Sequence, residues 1–538
     1  MRISAIAASA AATVSLAAQA ALTVIEPLEG EKWWGGILND GESMPYVDTD
    51  RPRDVGVKGR GGATAPFLVS SAGRYVWSDR PFVFAATNGT IYITSPLGAV
   101  EPVEAGSTLR EAYLAACAKH FPFDGRLPAE LLFTKPQWNN WIEIAIQGMK
   151  QSSVDAYTDA LAKSGFPCGV YMMDGGWLSH QGSFKFYADD FPDPKGMFKR
   201  IRDNGWKSMI WTAYFVSPDS REYKMLRHGK GYMIEGKDVL AYDKFKPKSK
   251  RAGVIWWWSG ISSVYDLTYA PGRDCFVKTL KDFAAEYGID GFKFDAGDAE
   301  PLAESLRFHD PKKEAPDYVH EYAKLIADNF EYNEARCGFC SGGIPVMQRL
   351  IDQHHSWKSL QSISGRMQAA GLLGSPYVVA DMVGGGEANT FRPGGFFSEK
   401  LFVRSAALQA LHPMMQFSAA PWRYLSAEGV AACRLFADLH VEFGPYILEL
   451  ARHASKTGEP ILRSMEYEFP HQGFDRLMNQ FMLGGDWLVA PVVTEDDSTT
   501  VELPAGRWLD DLGATHEGPK KMKLEKVPLT RLPRYRRL

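Results

Sequence analysis

The sequence predicts an α/β protein: a (β/α)8 barrel with a β-sandwich ahead of it and a small β-domain behind it. Three features carry that prediction. Short apolar runs alternate with longer amphipathic stretches through the middle of the chain, the pattern of parallel strands joined by helices. Turn-punctuated stretches rich in β-branched and aromatic residues flank this region on both sides. Most of the central runs end in a carboxylate or beside an arginine, where a barrel of this kind carries its chemistry.

Arg2 precedes an alanine-rich stretch without further charge that closes on Ala18-Gln19-Ala20, a small-x-small cleavage pattern. Residues 1–20 are therefore predicted to be a secretory signal and the protein to be exported, periplasmic or extracellular. No later segment offers about twenty uninterrupted apolar residues, so no membrane span is predicted. From 21 to 125, turn signals at Gly35-Gly36, Asn39-Asp40-Gly41, Gly61-Gly62 and Asn88-Gly89 separate runs such as Phe82-Val83-Phe84 and Thr90-Ile91-Tyr92-Ile93. These predict the N-terminal β-sandwich. The barrel is placed at 126–454, its eight runs spread over about 290 residues. They are Leu131-Leu132-Phe133, Gly169 to Met173, Ser208 to Trp211, Gly291 to Phe294, Ala335 to Phe339, a weak one at Leu350, Tyr377 to Val379, and Met414 to Phe417. The remainder, 455–538, includes Trp487 to Val493 and a turn at Pro504-Ala505-Gly506, and predicts a C-terminal β-sandwich.

Composition excludes several classes. Hydrophobic residues make up 45% and charged residues 23% of a chain of 538, which suits a folded protein with a substantial core. Sixty basic against sixty-four acidic side chains leave a formal charge of −4, so a generally basic nucleic-acid binder is not expected. Six cysteines are too few for a disulfide scaffold; Cys337 and Cys340 are the close pair, expected as structural thiols or a local disulfide. No second Cys pair completes a zinc site and His354-His355 lacks H-E-x-x-H spacing, so neither metal nor cofactor is predicted. The 15 Trp and 22 Tyr, several beside carboxylates, suit a polar ligand with apolar faces. A sugar has that character, although core packing must account for most of these rings.

The ends of the runs carry Gln137-Trp138, Asp174 with Trp177, Asp295 with Asp298, Arg336, Asp352 and Asp381. Any one Asp there is compatible with capping the next helix. Asp174, Asp295, Asp352 and Asp381, four acids at run ends with Trp and Arg alongside, fit cleavage of a glycosidic bond, which needs one carboxyl to protonate the departing oxygen and another to attack carbon or activate water. The residue types alone do not single out which two act. Lys293 lies two residues before Asp295 and so on the same side of the strand. There it either holds that carboxylate ionised and donates to a sugar hydroxyl, or forms a structural salt bridge.

Against this background the chain resembles glycoside hydrolase family 31, from about Leu131 to the C-terminus. The resemblance rests on Asp290-Gly291-Phe292-Lys293-Phe294-Asp295-Ala296-Gly297-Asp298, where Asp298 replaces the usual Glu, on Asp189 to Pro194, on Trp258-Ser259-Gly260 with Asp266, and on Met478 to Val492. Phe292 to Gly297, Asp381 to Gly385, and Met415 to Ser418 with Pro421-Trp422 are similar to the branch holding myogenesis-regulating glycosidase and bacterial α-galactosidases. The α-glucosidases of the family place Trp at Lys293 and His near Ser418. The resemblance thus implies a retaining α-glycosidase acting on an oligosaccharide or glycoside, α-galactoside first, with an α-glucoside or modified hexose as the alternative. A catalytically dead, sugar-binding barrel is the other alternative.

The same resemblance implies roles residue by residue. Asp295 falls on the nucleophile. The acid/base of the family lies five residues before a Trp matched by Trp357 and sixteen after an Arg matched by Arg336, and both distances reach Asp352. Asp381 sits in the better-preserved string Ala380-Asp381 but fails this spacing, so it is expected among the substrate-binding residues. With it are expected Asp174, Lys293 and Arg336 as polar contacts, Trp138, Trp177 and Trp211 as walls, and Trp258 as a further substrate-binding residue. Against this stands a structural alternative for Asp352, the cap of the helix preceding Leu360.

Overall fold

In the computed structural model, residues 20–57, 61–144, 148–227, 232–236, 253–257 and 260–538 are described. The expected signal segment, apart from Ala20, and Trp258 lie outside them. Eight parallel strands form the central sheet: β1 (Gln137–Asn139), β2 (Val170–Met173), β3 (Lys207–Thr212), β4 (Gly291–Phe294), β5 (Tyr332–Ala335), β6 (Gln348–Arg349), β7 (Val378–Val379) and β8 (Gln416–Phe417). They pair in chain order, β8 returns to β1, and a parallel bridge between Val379 and Met414 joins β7 to the start of β8. The sheet thereby closes into a barrel.

Two strands sit away from their predicted positions. Leu131–Thr134 is a short helix, and β1 begins at Gln137. Pro136 explains the switch, because a residue preceding proline is driven to extended backbone; Lys135 has φ −145° and ψ 146°. An apolar run this short has no period that separates strand from helix. The fifth strand is Tyr332–Ala335, four residues upstream of the predicted centre. Its inward side chain is Glu334, so a search for apolar runs passes over it. Gly338–Phe339 instead leaves the barrel and pairs in parallel with Ala63–Thr64.

The N-terminal region forms two antiparallel sheets. One orders Ala21–Ile25, Thr90–Ser95, Val83–Thr87 and Arg53–Asp54. The other carries Trp33–Ile37, Ala63–Ser70, Arg74–Trp77 and Val103–Glu104. At Gly36 (φ 75°) a Cβ would collide with the Phe84 ring of the facing sheet, so close approach requires glycine. The helix Leu109–His120, capped by Thr108, lies within the stretch read as strands; His120 stacks on Trp77 at 4.6 Å. Behind the barrel, six antiparallel strands form one sheet with its own apolar cluster around Met465, Leu488 and Trp508. All six cysteines are free thiols. No helix among the described residues is long and apolar enough to cross a membrane.

Candidate active site

The barrel interior is ionic rather than apolar at its centre. Trp211, Lys293 and Glu334 are register partners on β3, β4 and β5. Glu334 is fully buried and accepts hydrogen bonds from Gln137 of β1 (3.1 Å) and Gln416 of β8 (2.8 Å). Its other oxygen lies 3.4 Å from Nε of Arg349 on β6. Lys293 Nζ donates to Asp174 at 2.8 Å, and Asp174 also accepts from Asn139 Nδ2 and the Gly175 amide, each at 2.7 Å. Burial alone would discharge Lys293, yet the Asp174 carboxylate reverses that and raises its pKa above the usual value.

Above this layer, at the C-terminal ends of the strands, opens a cavity of about 680 Å³, the size that holds a small ligand. Six predicted residues line it: Asp174, Trp211, Lys293, Asp295, Arg336 and Asp352. Asp295 follows β4, its carboxylate accepting from Trp211 Nε1 (3.1 Å), its neighbour's amide at Ala296 (2.8 Å) and Arg336 Nε (3.3 Å). Burial pushes its pKa up, but Arg336, Arg349 and Lys293 outweigh burial and hold it well below the usual carboxylate range. Asp295 is therefore ionised throughout the neutral range. Arg336 is clamped in turn by Asp298 at 2.6 Å and by the Gly61 carbonyl at 3.0 Å.

Asp352 presents a different environment. Its side chain is 78% exposed to the cavity and meets Arg349 NH1 at 2.8 Å. It does not cap the helix before Leu360: that helix, Trp357–Leu372, is capped by Ser356, which accepts from the Ser359 amide. Arg349 also lies 3.8 Å from Asp295, so both carboxylates face one guanidinium.

Three predicted contacts are corrected. Trp138 is fully buried outside the barrel, stacked on Phe417 at 4.7 Å and donating to the Pro167 carbonyl. Its neighbours Gln137 and Asn139 point inward, so strand alternation turns Trp138 outward. Trp177 is likewise core, stacked on Phe283 at 4.9 Å with its N–H on the Trp211 carbonyl. Asp381 is fully buried and off the cavity wall; it accepts from Arg349 (3.1 Å) and the Gln353 amide (3.1 Å). Sequence reasoning missed Trp141, Gln181, Arg349 and Met382, all of which line the cavity. A polar residue inside a barrel strand was the available signal for Arg349.

Two carboxylates facing one cavity at the strand ends of a (β/α)8 barrel, one held ionised and the other exposed, form the arrangement of a glycoside hydrolase. The comparisons with known proteins carry this further. Residues 136–450 match the Glycosyl hydrolases family 31 TIM-barrel domain, and residues 458–537 match the family's C-terminal domain. The chain belongs to glycoside hydrolase family 31. It is 29% identical over 415 residues to myogenesis-regulating glycosidase of Mus musculus, covering 75% of this chain and 56% of the relative. With 1,3-alpha-isomaltosidase of Kribbella flavida it shares 23% identity, over 71% of this chain and 55% of the relative. The chain thus spans about half the length of these curated relatives. In structure it is similar to a family 31 dextranase of Flavobacterium johnsoniae complexed with glucose, with TM-score 0.82 and 18% identity, covering 96% of this chain and 66% of that one.

Proposed function

We propose that this chain is an exported retaining α-glycosidase that removes a terminal α-linked hexose, with α-galactoside as its substrate. The observation that carries the reading is the contrast between two carboxylates on one cavity: Asp295 locked as an anion by Arg336 and Trp211, Asp352 exposed to the incoming glycoside. Asp295 attacks C1 and forms a glycosyl ester, while Asp352 gives its proton to the departing oxygen as the C1–O bond breaks. Asp352 then takes a proton from water, which attacks C1 and releases the sugar with its configuration retained. Lys293 keeps donors beyond the one spent on Asp174, and one of them suits the axial 4-hydroxyl that separates galactose from glucose. Trp211 and Trp141 supply the apolar walls.

A panel of 4-nitrophenyl α-glycosides tests the sugar. Turnover of the α-galactoside with release of the α-anomer first, read by NMR, is expected. The β-anomer appearing first would exclude retention. Relatives called alpha-xylosidase and 1,3-alpha-isomaltosidase favour a second reading, an α-xylosidase or α-glucosidase, which turnover of those glycosides alone would select. No turnover of any member would select a sugar-binding barrel. Asp352→Ala should retain cleavage of the activated substrate, lose unactivated glycosides and regain turnover with azide. That behaviour in Asp381→Ala instead would move the acid/base.

A further inference from the structure

Asp381 lies two residues past β7 at φ 78°, a left-handed backbone uncommon for a residue bearing a Cβ. What holds it there is the segment carrying Asp352. One oxygen of Asp381 accepts from Arg349, three residues before Asp352, and the other accepts from the amide of Gln353, one residue after it. The same NH1 of Arg349 bonds Asp352 at 2.8 Å and Asp381 at 3.1 Å. One carboxylate of this pair is fully buried and the other faces the cavity.

We propose that Asp381 is the positioning residue of the acid/base: it grips the chain on both sides of Asp352 and, by competing with it for Arg349, keeps a proton on the pair. This rests on the reading of Asp352 as acid/base. Left alone with Arg349, Asp352 is ionised and has no proton to give, since that guanidinium, ahead of the opposing effect of burial, lowers its pKa. Two carboxyls on one arginine titrate as a system, and its last proton is bound more tightly than Asp352 alone would bind it. Burial pushes Asp381 up to about 6, with Arg349 and Lys293 pulling down and Asp352 pushing up. When Arg349 turns to an ionised Asp381, Asp352 is released to take the proton from solvent. The charged groups facing the pair are Arg349 from β6, Lys293 from β4, Glu334 from β5 and Asp295 at the end of β4. None of these is lost in the first variant below.

The test is the pH profile of kcat/KM on an unactivated α-glycoside, measured for the whole chain. Asp381→Asn removes the competing anion, so the basic limb is expected to move about one pH unit lower, with cleavage of the nitrophenyl glycoside much less affected. Arg349→Gln removes the cation from Asp352 and should move the limb the other way. A limb unmoved in a folded Asp381→Asn, or displaced in the same direction by both variants, overturns the proposal. If Asp381→Asn does not fold, Arg349→Gln decides alone, and a limb unchanged or lowered refutes it. Azide rescue separates the two levels. Rescue of Asp352→Ala with an unmoved limb in Asp381→Asn sinks this inference only; rescue of Asp381→Asn sinks the acid/base assignment with it.

Discussion

Lys293→Met isolates the ion pair beneath the cavity. Lys293 and Asp174, on the cavity wall, are each about 5% exposed in their side chains, so the 2.8 Å contact between them is almost closed to solvent. Removing the ammonium leaves a buried carboxylate whose other partners are Asn139 and a backbone amide. Breaking a buried pair from one side costs about 3–5 kcal/mol, and the two surviving hydrogen bonds place this case near the lower figure. The double variant Lys293→Met/Asp174→Asn removes both charges together, and it should recover most of that loss, because the desolvation penalties disappear with the pair. The two changes should therefore couple by at least about 2 kcal/mol in a double-mutant cycle. Urea unfolding of the four proteins measures it, read at the barrel transition, since a multidomain chain need not unfold in one step. Glycosidase activity is expected to stay lost in the double variant. A single variant as stable as the parent, or a double variant no better than the single, would refute the reasoning.

Asp295→Asn should keep its fold and lose several orders of magnitude in turnover, because an amide cannot form the ester; near-normal rates in the steady state would remove Asp295 from the role. The pH dependence of stability has a definite sign at Asp381. Burial raises its folded pKa to about 6, above an unfolded value of about 4. The group therefore stabilises the fold while protonated, and that contribution is lost as pH rises from about 4 through 6. The stability of the parent relative to Asp381→Asn should fall across that window in calorimetry, and a constant difference would contradict it.

The barrel was legible wherever its strands are apolar runs, as at Val170–Met173 and Gly291–Phe294, because a strand buried on both faces needs such residues. It was illegible where the interior is polar. Gln137 and Glu334 face the axis, and no hydrophobic pattern marks a strand whose inward residue is an amide or an acid. In the site, the carboxylates were found by position, since strand ends open on the cavity. The tryptophans were harder. Trp138 could have been assigned outward by alternation from Gln137, but Trp177 lies past the end of β2, where alternation has lapsed and tertiary contacts with Phe283, Phe186 and the Trp211 carbonyl fix the ring. Trp141 was missed because its loop has no period at all; it reaches the cavity with its N–H on the Gly386 carbonyl. Asp381 shows the limit of motif reading, since its string matches the family while its carboxylate is buried on Arg349 and the Gln353 amide, off the cavity wall.

The ionic layer beneath the cavity is costly as structure, because each ion taken from water forfeits several kcal/mol of solvation, and an apolar layer of the same volume would hold the barrel at least as firmly. What an apolar layer cannot do is make two aspartates differ. Asp295 and Asp352 begin with the same chemistry and share one cavity, yet the proposed reaction needs the first as an anion and the second as an acid. Solvent would give them similar proton affinities. The layer breaks that equivalence: Asp295 looks onto Arg336, Arg349 and Lys293, whereas Asp352 bonds Arg349, with Lys293 a lesser influence, and must share that guanidinium with the buried Asp381. Lys293 and Arg349 are in turn kept charged by Asp174, Glu334 and Asp381, residues that hold the field in place before any substrate arrives. Replacing this layer by leucine and methionine is thus expected to yield a barrel of undiminished stability whose two carboxylates have lost their division of labour.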